Sequence, residues 1–144
     1  MEVSIPSPRH YESIYGSSDA VRNYLNQIEE RIAQASLLES FDYLRISLLI
    51  AHPDELAQGK YLEYEKFEWR GRFAAVGVNG NFERYHLGND LEKILELSEM
   101  LQAAFTRISK KKKAKFDCRQ ANAIVIEATQ AFEEIFRERG QQKT

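Results

Sequence analysis

One cysteine, three histidines, three prolines and two methionines are all that 144 residues carry of those types. With Cys118 alone an intramolecular disulfide is impossible, and a lone thiol fits a reducing compartment. His10, His52 and His86 stand far apart, with no His-x-His or His-x-x-x-His pair, so no zinc-type ligand set is spelled out. Charge of one sign is missing as well. Twenty basic against twenty-two acidic side chains leave a formal net charge of −2, too weak to imply a nucleic-acid or acidic-substrate partner for the molecule as a whole. Apolar runs such as Leu48-Leu49-Ile50-Ala51 fall far short of the about 20 residues a membrane span needs. The first residues have neither a basic n-region nor an apolar h-region, and lipidation motifs are missing, so the cytoplasm is the expected location and no membrane partner is expected.

Motifs for chemistry are equally scarce. There is no Gly-x-Ser-x-Gly, and Cys118 is flanked by Asp117, Arg119 and Gln120 rather than by a base and an oxyanion hole. Gly71, Gly77 and Gly80 do not form Gly-x-Gly-x-x-Gly or Walker A. The sequence therefore assigns no catalytic residue, no metal ligand and no cofactor. An enzyme with a noncontiguous site remains as one alternative, its mark being a cleft with perturbed titratable groups.

What is present reads as one domain of about common size, 43% apolar and 29% charged. Residues 1–18, with Pro6, Pro8 and Gly16, read as an extended arm. Ser18 or Asp19 caps a first helix whose buried stripe is Val21, Leu25, Ile28, Ile32 and Ala35. Residues 37–52 fit both periods; the reading taken is helix near 37–42 and then a strand to Ile50, with a short helical turn from Asp54 closed by Gly59.

From Tyr61 to Leu87 aromatic and β-branched residues dominate, which predicts a meander of about three antiparallel strands. Asn79-Gly80 reads as its hairpin turn, and a bulge near Glu65 or Lys66 reconciles the slipped alternation. Asn89 and Asp90 open a long helix. Asp117 caps the last one, which Gly140 stops and whose buried side is Ile124, Val125, Ala128, Ala131, Phe132, Ile135 and Phe136. The predicted class is α+β, a small antiparallel meander packed against three or more helices, mainly on one side.

Three groups of residues are candidates for binding. Glu92, Glu96 and Glu99 share a helix face, and Glu63, Glu65 and Glu68 lie on the predicted strands. Solvation explains such rows, but they also fit an acidic patch that masks a basic partner. Trp69 reads as a core anchor or an interface anchor. Lys110, Lys111, Lys112, Lys113 and Lys115 form a basic turn that suits the negative end of the preceding helix or, alternatively, phosphates. No aromatic residue interleaves with these lysines, which argues against nucleic acid.

The layout of N-terminal helix, central aromatic meander and C-terminal helices in a small acidic chain resembles bacterial toxin-neutralising immunity proteins of contact-dependent inhibition systems. That resemblance implies a binding module that neutralises or scaffolds one partner protein, such as a toxin with a basic active site. It carries no functional residue over to this chain.

Overall fold

The computed structural model describes residues 1–6, 18–111 and 115–142, without the side chains of Glu63, Gln141 and Gln142. The elements, in chain order, are β1 (Glu2–Ser4), α1 (Asp19–Gln34), β2 (Tyr43–Leu49), α2 (Pro53–Ala57) and α3 (Leu62–Glu65), followed by β3 (Glu68–Arg70), β4 (Phe73–Asn79), α4 (Phe82–His86), α5 (Asp90–Ser109) and α6 (Cys118–Gln142). The α+β class is as expected.

The sheet is not a three-stranded meander. Four strands lie in the order β1-β2-β4-β3; β1 pairs with β2 and β2 with β4 in parallel, and only β3 runs antiparallel to β4. The arm expected at 1–18 therefore begins as an edge strand, Val3 facing Ile46, and what the arm reading says of 7–17 lies outside the described residues. Residues 62–65 form helix α3 instead of a strand, so the slipped alternation marks a change of element and not a bulge. The turn of the one hairpin is at Gly71 (φ 57°), and Asn79-Gly80 instead leads into α4. Parallel pairing of β2 and β4 explains the error. Both strands are buried through most of their length, so they read as apolar runs without a clear partner.

Local signals at the helix ends held better. The Ser18 side chain accepts from the Val21 N–H, and Asn89 with Glu92 completes a reciprocal capping box. Asp117 Oδ1 accepts from the Gln120 N–H, 3.0 Å away. After α1 the chain turns with Ser36 at φ 59°, where Leu37 N–H reaches Ile32 O and Ser36 N–H reaches Ala33 O, a Schellman arrangement built on a non-glycine residue. Residues 37–40 are turn, not helix. Gly140 does not stop α6, which runs on through Gln142.

Leu44, Ile46 and Leu48 of β2, with Ala74 and Val76 of β4, turn one sheet face into the main core, beneath α5. α1 packs on β1 and α5, and α6 lies across α5 and α1. Ile28, Ile32, Leu97, Leu101, Phe105 and Val125 fill the space between, each fully or almost fully buried. The first half of α6 is thus core, but Ala131 and Ile135 farther along are exposed and Phe132 and Phe136 only half-buried, contrary to the expectation of a continuous buried stripe. A smaller cluster of Leu49, Ala51 and Tyr61, with Leu56 and Tyr64 against it, occupies the opposite sheet face under α2 and α3.

Candidate functional site

That opposite face is covered at one end only. Strand alternation places Tyr43, Arg45, Ser47 and Leu49 of β2 on it, beside Phe73, Ala75 and Gly77 of β4. Leu49 and Ser47 are 1% exposed beneath the short helices, whereas Tyr43, at the other end of the strand, is 37% exposed. Register adds Glu2 and Ser4 from β1 and Glu68 and Arg70 from β3 to this face. Its covered end is held by an unusually close approach. A Cβ on Gly77 would lie 1.8 Å from the Tyr64 carbonyl oxygen, so only glycine lets α3 settle this near the sheet.

At the open end Tyr43 and Phe73, opposite each other in register, stack at 5.3 Å between centroids with 13° between planes. The Tyr43 hydroxyl donates to the Glu2 carboxylate, which raises the phenol pKa; slight burial and the Glu2 charge add to this and Arg45 opposes it. Arg45 lies 5.7 Å from the Tyr64 ring centroid, and its Nε is buried without a hydrogen-bond partner. Arg72 is bound to Asp42 Oδ1 at 2.8 Å and to the Glu39 carbonyl, while Arg70 stays exposed with no ion pair among the described residues. The result is a stacked aromatic pair framed by Arg45, Arg70, Glu2 and Glu68. It offers flat apolar area and both charges, with no convergent acid–base pair.

The structure separates the residues singled out from sequence. Glu96 does not belong to a solvated face: it is 6% exposed, and its carboxylate accepts from the Asn81 N–H at 2.7 Å and from Arg84 Nη1 at 3.0 Å. Arg84 also binds Glu99 at 3.0 Å, and Glu92 is engaged in the capping box. Helical spacing aligned the three carboxylates, but α4 folds its arginine back over two of them. Trp69 faces the core, edge-on to Phe41 at 5.2 Å, and so stands opposite Glu68 and away from the open face. Glu65 ends α3 half-buried, and the Glu63 side chain lies outside the described residues. Lys110, Lys111 and Lys115 are exposed; Lys112 and Lys113 lie outside the described residues.

Tyr43, Phe73, Arg45 and Arg70 were missed as a group because the parallel β2–β4 register that joins them spans 30 residues. The one local signal was the alternation of Tyr43, Arg45 and Ser47 against Leu44, Ile46 and Leu48.

Elsewhere, a groove of about 420 Å³ between α1 and the far half of α6 is lined by Tyr24, Phe132, Ile135 and Arg139, among others. Burial raises the Tyr24 pKa, and its hydroxyl is already bonded to Thr129 Oγ1 at 2.7 Å. A second cleft of about 390 Å³ lies past the ends of β2 and β4, lined by His52, Phe82 and Glu83. There His52 Nδ1 accepts from the Asp54 N–H at 3.1 Å to cap α2, and nearby His86 Nε2 lies 3.2 Å from the Ile50 carbonyl. Both imidazoles are occupied by backbone. Among the described residues no group of three or more His, Cys, Asp or Glu is placed to hold a metal ion, and no helix is long and apolar enough to cross a membrane. No family model, curated protein or solved structure matches the chain.

Proposed function

We propose that this chain is a protein-binding module whose docking surface is the open end of the sheet, in the manner of a cytoplasmic bacterial immunity protein or antitoxin that neutralises one partner. The observation that carries the reading is the stacked pair of exposed Tyr43 and half-buried Phe73 on a sheet face that α2 and α3 cover only at its other end. Tyrosine and arginine dominate the energetics of protein interfaces, because large rigid side chains bury much area for little lost rotamer freedom. The pair and its neighbours Arg45 and Arg70 have that composition.

The partner is a protein surface with an apolar centre and charges of both signs, complementary to Arg45 and Arg70 and to Glu2 and Glu68. The acids available to it are those of the sheet side, since Glu96 is internal and Glu99 is held by Arg84. A photo-crosslinking amino acid at position 43, expressed in the source cell, should yield one discrete adduct that the same probe at exposed Ile126 does not give. The partner so identified should lose roughly 10-fold or more in affinity for a Tyr43→Ala/Phe73→Ala variant, the scale of two interface anchors. Undiminished binding by that variant would refute the assignment.

A further inference from the structure

A second surface lies on the other side of the sheet, where α5 ends. Arg107 and Lys111, one turn apart there, both stand over the ring of Phe67, at 5.7 and 5.1 Å from its centroid. Phe67 comes from the segment just before β3, some 40 residues away in sequence, so the aromatic residue that the lysine run lacks locally is supplied by the fold. Arg107 is fixed further: its Nη1 donates to the Gly77 carbonyl at 2.7 Å, two residues beyond the point where β3 stops opposite Ala75. Lys115, on the far side of the turn, is tied through its carbonyl to Ser40 Oγ at 3.4 Å, and Phe116 after it packs on Phe41, which in turn meets Trp69. The aromatic cluster thus holds the two flanks of the turn together.

These cations differ from five of the arginines elsewhere, though not from Arg45, Arg70, Arg119 and Arg139, which also have no ion pair among the described residues. Arg22, Arg31, Arg72, Arg84 and Arg137 each face a carboxylate. Arg107, Lys110, Lys111 and Lys115 are all exposed and pair with none among the described residues. The macrodipole of α5 accounts for one or two positive charges at its last turn, not for a set that continues to Lys115 past the turn. Of the acids near these residues in sequence, Glu65 ends α3, Asp117 accepts from the Gln120 N–H, and Glu68 belongs by register to the opposite sheet face.

We infer that this end of the molecule binds the phosphodiester backbone of a nucleic acid, with Arg107 and Lys111 held over Phe67 as the ordered centre and Lys110 and Lys115 on the two flanks of the turn. A guanidinium and an ammonium fixed on one ring lose little freedom when they meet a phosphate, and unpaired surface cations release counterions from the strand as they do so. A lipid surface fits less well. Tyr43, Leu62, Leu87, Ile126 and Ile135, the exposed large apolar side chains among the described residues, are all outside the set.

The test is fluorescence anisotropy of a labelled 20-nucleotide single strand and the corresponding duplex, titrated with the protein between 50 and 200 mM salt. The native chain should bind at low salt. A Lys110→Gln/Lys111→Gln/Lys115→Gln variant should bind at least 10-fold more weakly at 50 mM, with its log–log salt slope shallower by about 2 on the single strand and nearer 3 on the duplex, as loss of three phosphate contacts requires. The Lys110→Gln/Lys115→Gln double variant, which leaves Phe67 untouched, should show about two thirds of that change. An Arg22→Gln/Lys93→Gln/Arg137→Gln variant removes equal charge elsewhere and should bind as the native protein does. No binding at 50 mM, an equal loss in the control variant, or stronger binding to phosphatidylserine vesicles than to either oligonucleotide would overturn the assignment.

Discussion

Replacing Gly77 with alanine places a methyl group where the backbone of α3 already lies. The new Cβ meets the Tyr64 carbonyl oxygen at 1.8 Å, its carbon at 2.8 Å and Glu65 Cα at 3.3 Å. Contacts of a real Cβ essentially never fall under 3.0 Å, so helix and strand must part by more than an ångström. The obstacle is main chain, which no rotamer change relieves. Parting α3 from the sheet loosens the cluster of Leu49, Ala51 and Tyr61 and draws Tyr64 away from Arg45. Overpacking of a tight interior costs about 1–3 kcal/mol, and partial loss of the Tyr61 and Leu49 burial adds about 1–2 kcal/mol more. Against this, alanine lowers the entropy of the unfolded chain by about 0.4–1 kcal/mol.

The net expectation is a loss of about 3 kcal/mol, a large part of the about 5–15 kcal/mol that holds a domain folded. Urea unfolding followed by the fluorescence of Trp69, the only tryptophan, measures it directly. With a slope of about 2 kcal/mol/M the midpoint should fall by about 1.5 M. Gly140→Ala is the matched control: the same methyl is added, nothing lies within 4 Å, and the site is interior to α6. It should stabilise by about 0.5–1 kcal/mol, less if the last turns of α6 fray. A Gly77→Ala loss below about 1 kcal/mol would refute the close approach of α3, because the overpacking cost alone reaches that figure.

Three further outcomes follow from other contacts. Ser36→Gly should raise stability by about 1 kcal/mol, seen as a thermal midpoint about 3 °C higher, because serine at φ 59° carries a strain that glycine does not. Glu96→Ala should destabilise by about 2–4 kcal/mol by leaving the Asn81 N–H and Arg84 without their acceptor, whereas Glu92→Ala should cost about 1 kcal/mol as a cap residue; equal losses in chemical denaturation would contradict the burial of Glu96. The Tyr85 phenol is pushed up to about 12, by burial first and by Asp90 second. Its folded-state value exceeds the unfolded one, so its contribution is complete below pH 10 and is lost as pH rises from about 10 to 12. Urea midpoints should fall over that window, and less steeply for Tyr85→Phe; parallel falls in the two proteins would show that Tyr85 is not the group responsible.

Legibility in the sequence followed contact range. The caps at Ser18, Asn89 and Asp117 and the strand through Leu44, Ile46 and Leu48 depend on neighbours within a few residues, and these were readable. The sheet was not, because pairing Tyr43 with Phe73 in parallel needs a crossover whose register has no local signal. Between Tyr61 and Leu87 the same aromatic enrichment serves a helix, two strands and another helix, since Tyr61, Tyr64 and Tyr85 pack under or within helical turns. Glu96 shows the same limit at a single residue. Period 3.6 aligns it with Glu92 and Glu99, but burial is decided by α4, whose arginine arrives from outside the helix.

The two surfaces lie on opposite sides of one sheet, and this separation has a consequence for how the chain works. The Tyr43–Phe73 face is flanked by both charges, whereas the Phe67–Lys111 end carries unpaired positive charge, in a chain whose net charge is −2. If both proposals hold, a protein partner on the first face would leave the second open, and binding at the two sites would be additive unless the partner also spans the sheet edge at β3. That edge strand is three residues long and joins the surfaces through Glu68 and Arg70 on one side and Trp69 on the other. Affinity for the oligonucleotide should therefore be unchanged by Tyr43→Ala/Phe73→Ala. Loss of both activities from that variant, with the fold intact by circular dichroism, would mean that one continuous surface around β3 does the work of two.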